Sequence, residues 1–339
     1  MIVTRTPFRI SFAGGGSDLP AFHCDEPGVV LSAAISKYMY LVVKERFGDT
    51  FRVSYSQTEL RDRANEIEHP IVRECLGALG IRSGLEIVSI ADLPAQSGMG
   101  SSSSFTVGLL AALYALNGTT VDSGRLAREA CKVEIERLGE PIGKQDQYIA
   151  AYGGLQFIQF MPDGSVFVDP VICTARTKRD LNARLLLFFT GVTREARHVL
   201  AAQGSRMAQN REGLRELCGI AATMRELLTC GRDLPSFGRL LHEAWRIKKG
   251  FESSISNPGI DELYERGLRA GALGGKLLGA GSGGFLLFYC EPQHQHSLRK
   301  ALAGAREVPF AFESQGSKVI YVGEDQWAAD PVHFLTAMA

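Results

Sequence analysis

The chain has no surplus of either charge: Lys+Arg and Asp+Glu number 37 each over 339 residues. That balance excludes a broad nucleic-acid or membrane surface and leaves room only for a local basic pocket. No apolar run approaches the ~20 residues that span a bilayer, and the start, MIVTRTPFRISF, lacks a signal-peptide layout. Seven cysteines, at 24, 75, 131, 173, 218, 230 and 290, never fall in a C-x-x-C spacing. Reduced thiols are expected, rather than a zinc site or a disulfide framework. Internal repeats and low-complexity linkers are also missing. The expectation is a cytoplasmic, soluble protein, 45% hydrophobic and long enough for two domains.

Residues 1 to about 60 read as strands: FRISFAG, KYMYLVVKE and FRVSYSQ, rich in β-branched and aromatic residues. LEIVSIADLP continues the pattern, and helices are expected over 102–117, 123–138 and 145–152. LQFIQFMP and ARLLLFFTG read as further strands. From about 194 to 272 the pattern is helical, broken by CGRDLPS and SSISNPGID. A glycine loop feeding a strand, a helix near 293–305 and a closing strand, KVIYVGE, complete the chain. Strands and helices mix without regular βαβ alternation, so the fold class is α+β, with domains expected over 1–190 and 191–339.

One stretch, PAQSGMGSSSSF (94–105), sets a flexible polar loop directly ahead of a helix that is apolar on nearly every side. The body of such a helix is buried while its first turn presents unpaired N–H groups at the positive end of the dipole. Gly98 and Gly100 let the backbone curl, and Ser101–Ser104 add hydroxyls. The loop reads equally as an anion cradle, best suited to phosphate, or as a capped, solvated serine turn. It is neither a Walker A loop nor a G-x-G-x-x-G fingerprint.

Downstream, a helical wheel of RLAREACKVEIERL puts Glu134 in the middle of the apolar arc. A carboxylate there needs a partner: either a buried ion pair with Arg137, or a Mg²⁺ shared with the hydroxyl of Ser101 and nucleotide phosphates. Asp146, in EPIGKQDQY, reads alone as a helix cap. Gly14, Gly15, Gly16 and Asp18 form either a glycine hairpin or a ligand-facing turn, and LGAGSGGF (278–285) carries the same ambiguity.

Taken together, R-x-x-x-x-G-G-G-x-D, P-x-x-S-G-M-G-S-S-S-S and G-A-G-S-G-G, in that order, resemble the three signatures of the GHMP small-molecule kinases. Met99, Ser103 and Ser104 are mild departures from the usual middle motif. Within the family, TPFRISFAGGGSDLPAF, SYSQTE, EPIGKQDQY and GGKLLGAGSGGF resemble the bacterial D-glycero-D-manno-heptose 7-phosphate 1-kinases, with fucose kinases as near relatives. The galactokinase stretch G-E-H-T-D is absent. The resemblance implies a ribosomal protein S5 domain 2-like N-terminal domain and a ferredoxin-like C-terminal domain. ATP would sit on Ser97, Gly98, Met99, Gly100, Ser101, Ser102, Ser103 and Ser104, with Mg²⁺ on Ser101 and Glu134. Asp146 would be the catalytic base with Arg9 beside it. Gly14, Gly15, Gly16, Asp18, Gly281 and Gly283 would face the sugar, and Arg194 and Lys276 are candidates for its 7-phosphate. The implied reaction makes a 1,7-bisphosphate for surface polysaccharide. A kinase for another sugar, or a catalytically silent sugar- and nucleotide-binding regulator, is the alternative, and a homodimer is left open. His294 and His296 read as exposed loop residues.

Overall fold

The computed structural model describes residues 1–82, 84–193 and 206–323. Two sheets organise them. The first has eight strands: β1 (Ile2–Ala13), β2 (Gly28–Glu45), β3 (Phe51–Ser54), β4 (Thr58–Arg61), β5 (Leu85–Ala91), β6 (Leu155–Phe160), β7 (Val166–Pro170) and a closing strand at Lys318–Val322. The 18-residue β2 is its spine: β1 runs along one edge, while β6 pairs with Gly28–Ala33 and β5 with Met39–Glu45 on the other. The β1–β2 register slips at Pro7/Phe8 and again at Ser11/Ala13. Such irregularities re-aim side chains beside active sites, and here they bracket Arg9.

After α1 (Pro20–His23) and α2 (Pro70–Ala78), helix α3 (Ser101–Leu116) is buried from Ser103 to Tyr114, as its all-round apolar sequence requires. It lies across β1 and β2 at Gly108, whose carbonyl accepts from Thr4 Oγ1 at 2.9 Å. A Cβ at Gly108 would stand 2.6 Å from Thr6 Oγ1, so glycine is what lets helix and strand meet. Helix α4 (Ser123–Cys131) runs on into a wider turn, Lys132–Arg137, where Leu138 N–H reaches back five residues to Val133. Helix α5 (Gln145–Tyr152) follows.

The second sheet contains β8 (Leu185–Phe189), β9 (Ala272–Leu277), β10 (Phe285–Cys290) and β11 (Arg306–Glu307), in the order β11-β8-β10-β9 and antiparallel throughout. Helices α7 (Met207–Cys230), α8 (Leu234–Gly250) and α9 (Pro258–Arg269) connect β8 to β9, and α10 (Gln295–Ala301) precedes β11. A short α6 (Ala175–Asn182) lies between the sheets in sequence. A 4-1-3-2 order of this kind is the ferredoxin-like split β-α-β. The strands do not respect a division at 190: β8 belongs to the second sheet, and β12 (Lys318–Val322) returns to the edge of the first beside β1.

The two parts meet through several contacts. Phe12 of β1 packs edge-on against Phe237 of α8, with centroids 5.2 Å apart. Arg211 of α7 bridges Asp25 at 2.6 Å and Glu26 at 2.9 Å. The glycine loop between β9 and β10 presses on the serine loop: a Cβ at Gly98 would come 2.4 Å from Leu278 O, and one at Gly279 would come 2.3 Å from Gly98 Cα. Only glycine permits that backbone-to-backbone approach.

Candidate active site

Between the two sheets lies a pocket of about 480 Å³. The start of α3 opens into it through Gly100, which sits at φ 75°, the left-handed region glycine favours, and turns the chain into the helix. Gly98, Gly100, Ser101, Ser102 and Ser103 line the wall. The first-turn N–H groups of a helix lack intrahelical partners, so this wall carries donors and the positive end of the helix dipole.

Opposite, Arg9 grips Asp146 through a two-pronged ion pair, Nε to Oδ1 and Nη2 to Oδ2, both 2.7 Å, and its Nη1 donates to Gly98 O at 2.5 Å. A fork-to-fork pair of this kind fixes the carboxylate in one orientation. One arginine therefore aligns Asp146 with the serine loop. Asp146 stays 22% exposed at its side chain, open to the pocket, while Arg9 is buried. The helix-cap reading of Asp146 gives way to this pair, since no side-chain cap hydrogen bond forms at the start of α5.

Glu134 is 1% exposed, in the wide turn after α4. Gln147 Nε2 donates to its Oε2 at 2.7 Å, and the Ser102 and Ser103 hydroxyls also hydrogen-bond to it. Burial pushes its pKa up to about 7, against these hydrogen bonds, and the charge of Asp146 pushes the same way as burial. Arg137 turns away to Glu74, donating to its carbonyl at 3.2 Å, so the ion pair with Glu134, one of the two alternatives, does not form. Among the described residues, the hydrogen-bond partners of the Glu134 carboxylate are neutral, and Gln147 Oε1 beside it is buried with no partner.

Asp18 faces the same pocket from the turn after β1 and accepts from Gly16 N–H at 2.9 Å, Gln145 N–H at 3.2 Å and Gln145 Nε2 at 3.1 Å. Burial raises its pKa, with the nearby Asp146 adding to that, while the backbone hydrogen bonds pull the other way. A Cβ at Gly143 would stand 2.0 Å from Asp18 Oδ2, which makes glycine obligatory there. Among the described residues, Ser11 Oγ and Gln145 Oε1 are buried on this wall without partners, although buried polar atoms are ordinarily hydrogen-bonded.

Gly15, Gly16, Lys276, Gly281 and Gly283 line the pocket as well. Four of the expected contact residues lie behind the wall. Gly14, at φ 88°, fits against Val29 O, where a Cβ would come within 1.9 Å. Ser97 donates to Pro94 O at 2.7 Å, Met99 is fully buried, and Ser104 donates to Pro7 O at 2.9 Å. Their role is to hold the loop rather than to line the pocket. Arg194 lies outside the described residues. His294 ends a short helical turn, with no buried residue, before α10.

The sequence reading missed Ser11, Gln145, Gln147 and Lys248. Gln145 and Gln147 flank Asp146, which was the available signal. Lys248, in IKKGF, carried none. It is 8% exposed, lines the pocket from α8 and donates to Gly279 O at 2.6 Å.

The descriptions of the GHMP kinases N terminal domain and the GHMP kinases C terminal match residues 69–154 and 221–307. The chain is 30% identical to a D-glycero-alpha-D-manno-heptose 7-phosphate kinase of Campylobacter jejuni, over 94% of this chain and 98% of that protein. It is 29% identical, over 83% of its length, to 29% of a bifunctional fucokinase/GDP-fucose pyrophosphorylase of Arabidopsis thaliana. A crystal structure described as a D-glycero-D-manno-heptose 1-phosphate kinase from Bacteroides thetaiotaomicron superposes with a TM-score of 0.80 at 24% identity, over 96% of this chain and 100% of that one. With that fold, this pocket and these relatives, the chain belongs to the GHMP kinases, as a sugar kinase that transfers a phosphoryl group from ATP to a sugar hydroxyl.

Proposed function

We propose that the acceptor is D-glycero-D-manno-heptose 7-phosphate and that its anomeric hydroxyl takes the γ-phosphoryl group of ATP. The O–P bond forms at the sugar oxygen as the β–γ bridge breaks to ADP, and the hydroxyl proton passes to Asp146. The product is the 1,7-bisphosphate. The Arg9–Asp146 pair carries this reading, because it fixes a carboxylate facing the pocket where the serine loop can hold a triphosphate. Phosphoryl transfer asks chiefly for positioning and charge neutralisation, and the donor-lined start of α3 supplies both.

Asp18, Ser11 Oγ and Gln145 Oε1 would take the sugar hydroxyls, and Gly15 and Gly16 would leave space for the ring. For Mg²⁺, the chain's own donors fit: a buried carboxylate with only neutral hydrogen-bond partners, a hydroxyl wall and an unpartnered amide oxygen. Glu134 and Ser101 would hold the ion, which, when bound, neutralises charge on the nucleotide's phosphates. The likeness to the Campylobacter jejuni kinase, over nearly both whole chains, favours a phosphorylated heptose over a free hexose. Its product would feed nucleotide-activated heptose into surface polysaccharide.

The test offers ATP, Mg²⁺ and a panel of acceptors: heptose 7-phosphate, hexose 6-phosphates, fucose and galactose. Heptose 7-phosphate is expected to give the highest kcat/KM and a product with a new phosphate on the anomeric carbon. Faster turnover of free fucose would replace this reading with a fucose kinase.

A further inference from the structure

Two lysines on the pocket wall have no carboxylate in direct contact among the described residues. Lys248 reaches in from α8 and Lys276 from β9, and they are 8% and 4% exposed. Each donates to one backbone carbonyl, Lys248 to Gly279 O at 2.6 Å and Lys276 to Phe12 O at 2.9 Å. Among the described residues neither forms an ion pair. The acidic groups whose field reaches Lys248 are Asp18 and Asp146, and Asp146 is already gripped at both oxygens by Arg9. Burial, with the neighbouring cations Lys248 and Arg9 adding to it, lowers the pKa of Lys276 well below its ordinary value.

Burying one unpaired ammonium is costly, and burying two close enough to repel is costlier. A fold with no use for them would place methionine or leucine there. Each ammonium has three donors and spends one on a carbonyl, which leaves two free. The anchors also fix where they sit. Lys276 is tied to Phe12, two residues before the Gly14–Gly16 turn, and Lys248 to Gly279, which packs on Gly98, so the pair stands between that turn and the serine loop.

We propose that Lys248 and Lys276 form a receiving site for a phosphoryl dianion. Two sources share that chemistry. One is the phosphate ester that the acceptor already carries, which rests on the heptose phosphate reading above; the other is the γ-phosphoryl group in transit. In either case the ligand supplies the direct anionic contact that no described carboxylate gives these lysines.

The experiment uses the full chain and the variants Lys248→Met, Lys276→Met and Lys248→Arg. In the first arm, thermal unfolding without nucleotide is followed against inorganic phosphate. The wild type is expected to be stabilised, both methionine variants to lose most of that stabilisation, and Lys248→Arg to keep part of it. The second arm is steady-state kinetics with ATP and heptose 7-phosphate. If the acceptor's phosphate is the occupant, KM for the sugar phosphate rises about ten- to hundredfold in the methionine variants with KM for ATP unchanged. If the γ-phosphoryl group is the occupant, kcat falls by a similar factor with KM for the sugar phosphate unchanged. A wild type that phosphate does not stabilise, or methionine variants that match it in both arms, would overturn the proposal. Loss of phosphate stabilisation without turnover of any sugar phosphate by the wild type would instead count against heptose phosphate as acceptor and leave the lysine pair standing. A mere clip between loops predicts a lower melting temperature for the methionine variants without phosphate and an unchanged response to it, which also contradicts the proposal.

Discussion

Arg9 has three tasks at once: it orients Asp146, ties it to Gly98 O and places both beside Gly100. That crowding makes Gly100 sensitive. A Cβ there would stand 3.3 Å from both Arg9 Cγ and Asp146 Oδ2, on a backbone at φ 75°. Gly100→Ala should therefore cost about 1–3 kcal/mol of stability from backbone strain and at least tenfold in kcat/KM, measurable by denaturant unfolding and steady-state assay. Lys248 makes a second residue-scale prediction. Burial, with Arg9 adding to it, lowers its pKa from 10.5 to about 8, while Asp18 and Asp146 oppose the shift; it and Lys276 also repel each other. Below pH 8 the ammonium is charged in both folded and unfolded chains, so its contribution does not vary with pH. Between pH 8 and 10.5 the folded chain has released a proton that the unfolded chain keeps, and stability from this group climbs with pH. Lys248→Met should remove that rise from melting temperatures measured across the window.

Elements bring these residues together. Helix α3 is anchored by its apolar body and offers its first turn to the pocket, and the turn after α4 widens to bring Glu134 against that helix. Turns of this width recur at functional sites because they displace a side chain from its regular helical position. If Glu134 holds Mg²⁺, Glu134→Gln should raise the Mg²⁺ concentration needed for half-maximal rate by at least tenfold while the fold is retained. An unaltered metal dependence would leave Glu134 a buried acid held by Gln147 and two serines. The helices over 101–116 and 145–152 and the strands at 85–91, 155–160 and 185–189 were legible in the sequence to within a few residues, because their periodicities are strong; β2 was read only over its second half, and α6, β9 and β11 were not read. The strand β7 was not, since VFVDP is short and lies exposed or half-buried along its length.

At the scale of the molecule, each of the three glycine-rich segments was ambiguous alone, and only their ordered resemblance to the GHMP kinase signatures joined them; all three contribute to the pocket lining. What the sequence left ambiguous was the side of the wall each residue takes. Ser97, Met99 and Ser104 alternate with lining residues because successive positions of a loop and a helix's first turn point in different directions. Lys248 was invisible because an IKK stretch on a helix normally lies in water; here it is buried and donates to Gly279 O in the β9–β10 loop. Membrane crossing through a helix is not supported by any described helix, none of which is long and apolar enough. On the proposed mechanism the α3 loop holds the nucleotide while Asp146, aligned by Arg9, activates the acceptor. Turnover and ATP affinity measured side by side for wild type and Asp146→Asn test it most directly. The account predicts a fall of ~10²–10⁴ in kcat with the ATP dissociation constant unchanged; undiminished turnover in the variant would contradict it.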